Sequence, residues 1–219
     1  MIFDPLQAVT GDDWLQTRQG RRLYLRQEKL ILDLVAPVAG ESVLDVGCGS
    51  GNTLRMFGRK KCLLTGMDPS AAALESARRN LGALCELVLG NAADIPFSDN
   101  EFDVVTLTGG LQGSANPQKA LAEAVRVSRN RVFVGFLNRY SSAGTGQAVR
   151  NFFGFPAASN LRFFSIGEMQ TLIHKTMSGA QIQWGSVMCL PGPAVALLSS
   201  LEDLFPMRNN PLGAFVGMV

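Results

Sequence analysis

Three glycines at alternate positions, directly after a short apolar run, constrain the fold of this chain more than any other feature. The run at residues 43–46 predicts a buried strand, and a helical pattern begins at Thr53. Between them lie Gly47, Gly49 and Gly51. Glycine is required where the backbone takes positive φ or where a ligand lies against the main chain. A strand that leads through glycines into a helix also presents free N–H groups and the positive end of the helix dipole. The stretch therefore predicts a loop for a nucleotide-like ligand, although glycine-rich turns also simply join strands to helices.

The size and composition of the chain predict one ordered α/β domain over residues 1–219. The chain has 219 residues, of which 47% are hydrophobic and 17% are charged, enough for a full core. A net charge of +2 gives no general attraction to nucleic acid, so nucleic acid is not expected as a partner. Residues 1–5 lack the features of a signal peptide, and the apolar stretch 187–201 is interrupted by prolines. We therefore expect no membrane span.

The cysteines are widely spaced along the chain. They are Cys48, Cys62, Cys85 and Cys189, and no pair has the C-x-x-C spacing of a metal or redox site. Each lies in an apolar segment or in the glycine loop. The pattern indicates reduced cysteines in a cytoplasmic protein, with neither a metal site nor a disulfide framework.

A helical lead-in is predicted over residues 1–40. Apolar residues recur at helical spacing between residues 12 and 36, and Gly20 is predicted to interrupt this helix. Basic residues line another face of the helix, namely Arg18, Arg22, Arg26 and Lys29. Such a stripe could meet an anionic substrate, a membrane surface or RNA, but it is also typical of the solvated side of an amphipathic helix.

The central part of the chain alternates strands with helices, which predicts a mainly parallel sheet covered by helices on both faces. The predicted strands are residues 43–46, 62–67, 84–89, 102–107, 132–137, 182–190 and 214–219. The predicted helices are residues 53–57, 71–80, 117–127, 165–176 and 194–205. Ser70, Asn116 and Ser165 are suited to cap three of these helices. Residues 138–164, rich in Ser, Gly and Asn with clustered phenylalanines, are expected to form a lid or insertion over the end of the sheet.

Polar residues follow four of the predicted strands, at the edge where an open parallel sheet binds its ligands. They are the loop from Asp45 to Gly51, then Asp68, Asp94 and the segment that begins at Thr108. A carboxylate at Asp68 can accept both hydroxyls of a ribose, and Asp94 can accept a hydrogen bond from an adenine amino group. Any one of these aspartates could equally be a turn former or a helix cap, but their ordered combination predicts a binding site for an adenosine-containing ligand.

Two other nucleotide-binding motifs are excluded by the spacing of the glycines. A dinucleotide-binding loop reads G-x-G-x-x-G, whereas this loop reads G-x-G-x-G. The G-x-x-x-x-G-K-[ST] pattern of a P-loop is also absent from it.

The stretch 43–51, Val-Leu-Asp-Val-Gly-Cys-Gly-Ser-Gly, resembles motif I of the class I S-adenosylmethionine-dependent methyltransferases. Residues 66–70 resemble the acidic second motif of this family, and residues 91–97 with 100–105 resemble the segment through its fourth strand. Residues 14–32 are similar to the lead-in helix of its type 11, UbiE-like, small-molecule branch. The resemblance covers about residues 10–137. It implies a Rossmann-like doubly wound sheet of seven strands, mostly parallel, with an antiparallel last strand between strands five and six.

The resemblance also implies a cofactor, S-adenosylmethionine, with S-adenosylhomocysteine as the product. The glycines of the loop and Cys48 would lie along the methionine portion and ribose, and Asp45 would orient the methionine amino end. Asp68 would hold the ribose, with Pro69 as an apolar wall, and Ala93 with Asp94 would meet the adenine. Thr108 and Leu111 would line the path to the sulfonium methyl, and Tyr24 would close the site. The implied cofactor-binding residues are Tyr24, Asp45, Gly47, Cys48, Gly49, Gly51, Asp68, Pro69, Ala93, Asp94, Thr108 and Leu111.

No catalytic residue is predicted. Methyl transfer needs alignment of the nucleophile and the methyl group and exclusion of water, and no fixed catalytic constellation. Many relatives have His or Asp after the fourth strand, where this chain has Leu111 and Gln112. The only histidine, His174, is expected on a helix surface, although a role as general base stays open.

The leading hypothesis is therefore methyl transfer to a small-molecule acceptor that is apolar or quinone-like. The alternative is a cofactor-binding but catalytically silent partner or regulatory protein, for which the missing group at Gln112 leaves room. RNA methylation is a third hypothesis, based only on the basic stripe of the first helix. The oligomeric state and the identity of the acceptor are not determined by the sequence.

Overall fold

Seven strands form one sheet in the structure, a computed structural model that describes residues 18–140, 162–187 and 206–219. The strands are β1 (Ser42–Val46), β2 (Leu63–Asp68), β3 (Cys85–Leu89), β4 (Phe102–Leu107), β5 (Ser128–Leu137), β6 (Trp184–Val187) and β7 (Phe215–Met218). Their order in the sheet is β3-β2-β1-β4-β5-β7-β6. The pairs among β1 to β5 are parallel, and β7 is antiparallel to both of its neighbours. The predicted fold class, including the antiparallel last strand, is confirmed.

The strand order reverses direction between β1 and β4. From β1 the chain proceeds outward to β2 and β3, and it then returns to place β4 on the other side of β1. Val43 of β1 is in register with Leu64 of β2 and with Val104 of β4. The crevice beyond the carboxyl ends of β1 and β4 is therefore the position at which doubly wound folds bind their ligands.

Helices cover both faces of the sheet. They are α1 (Arg18–Val35), α2 (Asn52–Gly58), α3 (Ala71–Leu81), α4 (Gly110–Gly113), α5 (Pro117–Val127) and α6 (Ile166–Thr176). Three predicted caps are present: the side chains of Ser70, Asn116 and Ser165 each accept a backbone N–H of the first helical turn. Ser165 forms a full capping box with Glu168, since each side chain accepts the other's backbone N–H.

The core has two layers because side chains of a strand alternate between the faces of the sheet. Val43 packs in the layer that includes residues of α1, α2 and α3. Its neighbour Leu44 packs in the opposite layer, with residues of α5 and α6. This alternation leaves β1 buried on both faces, which explains why its sequence reads as a continuous apolar run apart from Asp45.

Two differences from the sequence predictions have a clear physical reason. Helix α1 continues through Gly20, so the predicted interruption there is wrong. A glycine costs a helix only about 1 kcal/mol relative to alanine, which tertiary packing can offset. Strand β5 begins at Ser128 rather than at residue 132, because Ser128 pairs with Phe102 of β4 while Arg129 and Asn130 remain exposed.

Several predictions fall on residues outside the described ranges. They concern the helix at 194–205, most of the lid segment 138–164 and Cys189. Within the described ranges, Cys48, Cys62 and Cys85 are free thiols. No helix in these ranges has the length and apolar character needed to cross a membrane.

Candidate active site

The glycine loop after β1 is held in left-handed backbone conformations. Gly47 has a φ of 76° and Gly49 a φ of 54°. A Cβ on Gly47 would lie 2.6 Å from the Cα of Gly110, so the loop after β1 touches the loop after β4. The N–H groups of Gly47 and Cys48 donate to the carbonyl of Met67, at 2.7 and 3.0 Å. Only a glycine therefore fits at position 47, for both its backbone angle and its contact.

Asp68, the last residue of β2, is almost fully buried and faces the glycine loop. Its Oδ2 accepts the N–H of Gly49 at 2.9 Å, and its Oδ1 accepts the N–H of Ser70 at 2.8 Å. A carboxylate oxygen can accept two hydrogen bonds, so each oxygen retains capacity for one more donor. The side chain is thus fixed by the backbone and can still accept a pair of ligand hydroxyls.

Asp45 lies in the centre of β1, where only 1% of its surface is exposed. Its Oδ1 accepts the hydroxyl of Thr106 on β4 at 2.6 Å. Burial raises the pKa of the Asp45 carboxyl to about 7; the Thr106 hydrogen bond opposes this rise, and the charge of Asp68 adds to it. Asp45 therefore carries a carboxyl that titrates near neutrality beneath the glycine loop.

A cavity of about 720 Å³ opens at the carboxyl ends of the central strands. It is lined by Gly47, Gly49, Ser50, Asp68, Pro69, Ser70, Ala72, Ala73, Ser76, Gly90, Asn91, Ala92, Gly109, Gly110, Gly113, Ser114 and Ala115. Four of the predicted cofactor-binding residues are among them: Gly47, Gly49, Asp68 and Pro69. The volume is in the range of about 300–1,000 Å³ typical of small-molecule sites.

Four other predicted residues lie outside this lining and pack in the interior. Cys48 is 6% exposed, and burial raises the pKa of its thiol. A Cβ on Gly51 would lie 2.6 Å from the side chain of Leu81, away from the cavity. Leu111 is fully buried, and the hydroxyl of Tyr24 donates to the carbonyl of Asn52 at 3.0 Å.

The turn after β3 presents Asn91 and Ala92 to the cavity in place of the predicted Ala93 and Asp94. The side chain of Asn91 accepts the N–H of Ala93 at 2.9 Å, and its carbonyl accepts the N–H of Asp94 at 3.0 Å. Asp94 is exposed and outside the lining. Thr108 also lies outside the lining, and its buried hydroxyl has no hydrogen-bond partner among the described residues.

Sequence reasoning missed the contribution of α3 to the cavity. Ala72, Ala73 and Ser76 lie in the first turns of this helix and form one wall. Their small side chains, directly after the cap at Ser70, were the available signal, because small residues let a ligand approach a helix closely.

The loop at residues 95–97, which follows the turn after β3, is held by an ion pair on α5. Arg126 donates to the carbonyls of Ile95 and Phe97, both at 2.8 Å, and pairs with Glu123 at 2.7 Å. Glu123 in turn accepts the N–H of Ile95 at 3.0 Å. The guanidinium and the carboxylate therefore supply hydrogen-bond partners to backbone groups of this loop.

Neither of the two residues considered in connection with catalysis, His174 and Gln112, lines the cavity. His174 is exposed near the end of α6, as expected for a surface histidine. Gln112 is 4% exposed and donates to the carbonyl of Arg162 at 3.4 Å. Among the described residues, no group of three or more His, Cys, Asp or Glu side chains is arranged to hold a metal ion.

The cavity fits an adenosylated cofactor on three physical grounds. Asp68 has acceptor capacity for the two neighbouring hydroxyls of a ribose. The glycines at the ends of β1 and β4 leave the backbone open to close approach. The volume of about 720 Å³ is sufficient for a molecule of nucleoside size.

Comparison with known proteins gives a family match over part of the chain and a fold. Residues 44–134 match the family described as methyltransferase domain. A demethylmenaquinone methyltransferase from Renibacterium salmoninarum is 35% identical over 133 residues, which are 58% of this chain and 53% of that protein. The chain spans about half the length of the curated relatives it matches.

Solved structures share the fold at low sequence identity. A SAM-dependent methyltransferase from Thermotoga maritima has a TM-score of 0.73 and 21% identity, with 94% of this chain and 92% of that chain covered. The cyclase SpnF has a TM-score of 0.60 and 18% identity, with 88% of this chain and 79% of that chain covered. Because the same fold is present in a cyclase, the fold by itself does not determine the reaction.

Proposed function

We propose that this chain, of which residues 44–134 match the methyltransferase domain family, transfers a methyl group from S-adenosylmethionine to a small-molecule acceptor. The observation that carries the proposal is the unit formed by Asp68 and the glycine loop, which opens onto the cavity at the switch point of the sheet. The class I, UbiE-like family predicted from the sequence is confirmed for this region.

Different residues of the cavity would contact different parts of the cofactor. Asp68 would accept the ribose hydroxyls, and Asn91 with Ala92 would lie along the adenine side. Gly47 and Gly49 would allow the methionine portion to lie against the backbone. The roles proposed for Asp45, Ala93, Asp94 and Thr108 remain predictions, as do those for the interior residues Tyr24, Cys48, Gly51 and Leu111.

The chemistry that the cofactor supplies is an electrophilic methyl group on a positively charged sulfur. The chain needs to align the acceptor with this methyl group and to exclude water, because a neutral thioether is the leaving group. Gly109 and Gly110 border the cavity at the end of β4, where they leave room for an acceptor atom. No acid is needed to protonate the leaving group, so the absence of His or Asp at Gln112 does not argue against transfer.

The acceptor class is proposed from the relatives. Several of them are named demethylmenaquinone methyltransferases, which supports an acceptor of quinone type. A catalytically silent cofactor-binding protein is not favoured, since its main support was the missing group at Gln112. The RNA hypothesis has little support, because it rests only on the basic stripe of the first helix, which is also typical of the solvated side of an amphipathic helix.

Further predictions about domain organisation and location belong with this proposal. We expect residues 1–219 to act as one domain, with residues 1–40 as a lead-in and residues 138–164 as a lid. A cytoplasmic location is supported by the free thiols of Cys48, Cys62 and Cys85, since such thiols persist in reducing compartments.

Calorimetry with S-adenosylhomocysteine tests the cofactor, and transfer of radiolabelled methyl to a demethylated quinol tests the reaction. Binding at micromolar concentration followed by labelled product is the expected result. The absence of binding at high micromolar concentration would remove the cofactor proposal. Binding without transfer to any acceptor in metabolite pools would instead favour the silent protein.

A further inference from the structure

A second cavity, of about 520 Å³, lies next to the cofactor cavity and shares Ala115 with it. Its lining comes from the start of α5, from α6 and from the segment that precedes α6. The lining residues are Ala115, Asn116, Pro117, Gln118, Arg162, Phe164, Gly167, Glu168, Thr171, Leu172 and Lys175. Residues 113–115 border the cofactor cavity and residues 115–118 border the second one, so the two cavities meet along one continuous stretch of backbone.

The position of Arg162 in this cavity is determined by two sets of contacts. Its guanidinium carbon lies 5.2 Å from the centre of the Phe164 ring, a cation–π arrangement. Phe164 is 3% exposed and packs edge-on against Phe136, with 6.3 Å between ring centroids. The backbone of Arg162 is tied to Gln112 by two hydrogen bonds, its own N–H to the Gln112 carbonyl at 3.1 Å and the Gln112 amide to its carbonyl at 3.4 Å. Arg162 is therefore attached to the end of the segment that follows β4.

The charges in the cavity leave an excess of positive charge. Glu168, its only acidic lining residue, is paired with Arg139 at 2.9 Å and also caps α6. Among the described residues, neither Arg162 nor Lys175 has a carboxylate within salt-bridge distance. By contrast, Arg126, Arg129 and Arg131 each form an ion pair. Two cations without carboxylate partners beside a neutralised glutamate favour an anionic ligand.

We infer that this second cavity binds an anionic group of the acceptor, a carboxylate or a phosphate, through Arg162 and Lys175. The inference rests on the proposed methyltransferase function and narrows its acceptor from any molecule of quinone type to one that also carries an anionic group. An acceptor held there by its anionic group could extend past Ala115 into the cofactor cavity, where its reacting atom would meet the methyl group. The guanidinium would orient the anion, since Arg presents two parallel donors to carboxylate or phosphate oxygens.

The test uses the full chain with saturating S-adenosylhomocysteine, so that the cofactor cavity is filled. Phenyl phosphate is the anionic probe, and benzyl alcohol is a neutral probe of similar shape. Ligand-observed NMR titration should detect phenyl phosphate binding and much weaker benzyl alcohol binding. Arg162→Gln should weaken phenyl phosphate binding about tenfold or more, and Lys175→Gln should weaken it by a smaller factor. Arg162→Lys, which keeps the charge, should retain part of the affinity.

Arg78→Gln is the matched control, because Arg78 is an exposed arginine on α3 in a surface pair with Glu75. It should leave phenyl phosphate binding unchanged. The inference is overturned if the wild-type chain does not bind phenyl phosphate, if both probes bind equally, or if Arg162→Gln and Lys175→Gln bind as the wild type does. Calorimetry with S-adenosylhomocysteine distinguishes the two proposals. If the wild-type chain binds S-adenosylhomocysteine but not phenyl phosphate, only the inference of an anionic subsite is rejected.

Discussion

The carboxylate of Asp68 accepts the N–H of Gly49 at 2.9 Å, which joins the end of β2 to the loop after β1. A second backbone N–H, from Ser70 at the start of α3, donates to the other oxygen at 2.8 Å. The acidic residue and the glycine loop, 19 positions apart in sequence, therefore form one unit. The carboxylate oxygens of Asp68 are therefore already oriented to accept ribose hydroxyls. Binding would not carry the entropic cost of ordering a free side chain.

Replacement of Asp68 by alanine should weaken the binding of S-adenosylhomocysteine strongly. Two charge-assisted hydrogen bonds to the ribose would be lost, at about 1.5–3 kcal/mol each, which corresponds to roughly 100-fold or more in Kd. Isothermal titration calorimetry gives this value. Glu75→Ala, a change of an exposed carboxylate on α3, should bind as the wild type does. Equal affinity of Asp68→Ala and wild type would exclude ribose binding at this residue.

Replacement of Gly47 by alanine should destabilise the fold more than the same change at Gly40. Both glycines have positive φ, 76° and 89°, so both variants incur a backbone cost of about 1–2 kcal/mol. Only at position 47 would the new Cβ meet backbone, at 2.6 Å from the Cα of Gly110, whereas Gly40 has no atom within 4 Å. Urea unfolding should therefore give a lower free energy of unfolding for Gly47→Ala. Equal values for the two variants would contradict the close contact between the two loops.

The buried carboxyl of Asp45 predicts a specific pH dependence of stability. Its pKa is raised from 3.8 to about 7 in the folded chain, mainly by burial. Because the folded state holds the proton more tightly than the unfolded state, the stabilisation from this proton is fully present below about pH 4 and is lost as the pH rises through about 7. Relative to Asp45→Asn, the wild-type chain should therefore lose stability between these pH values.

Urea unfolding of both proteins at pH 5 and pH 8, in the absence of ligand, measures this difference. The variant suits the comparison because its amide oxygen can still accept the Thr106 hydroxyl while its side chain does not titrate. Parallel pH profiles for wild type and Asp45→Asn would show that Asp45 does not titrate in this range.

Replacement of Arg126 by glutamine should loosen the loop at residues 95–97. Its guanidinium donates to the carbonyls of Ile95 and Phe97, and the Glu123 carboxylate that it pairs with accepts the N–H of Ile95. We expect a loss of about 1–3 kcal/mol in the free energy of unfolding and faster hydrogen exchange at the Ile95 amide. Hydrogen exchange followed by NMR measures the local effect.

Arg78→Gln, the change of a more exposed arginine, is the control for this variant and should leave the Ile95 exchange rate unchanged. If Arg126→Gln also leaves that rate unchanged, the ion pair does not hold the loop.

The strands, the helix caps and two residues of the candidate site could be predicted from the amino-acid sequence alone. Apolar runs predicted the positions of all seven strands, since burial in a sheet leaves little freedom of composition. Ser70, Asn116 and Ser165 were identifiable as caps because capping depends on contacts within one turn. Gly47 and Asp68 were identifiable because they lie at the carboxyl ends of β1 and β2, where the geometry is set locally.

The loop residues that face the cavity could be identified only from the tertiary structure. Gly51 packs on Leu81, Cys48 turns into the core, and Asn91 lines the cavity in place of Asp94. Loops have no repeating period, so the direction of a side chain there depends on distant elements packed against it. The same reason applies to three other features: the cavity wall from α3, the hydrogen bonds from Arg126 to its loop, and the cationic second cavity. Each depends on contacts between elements that are distant in sequence, so none could be predicted from the sequence.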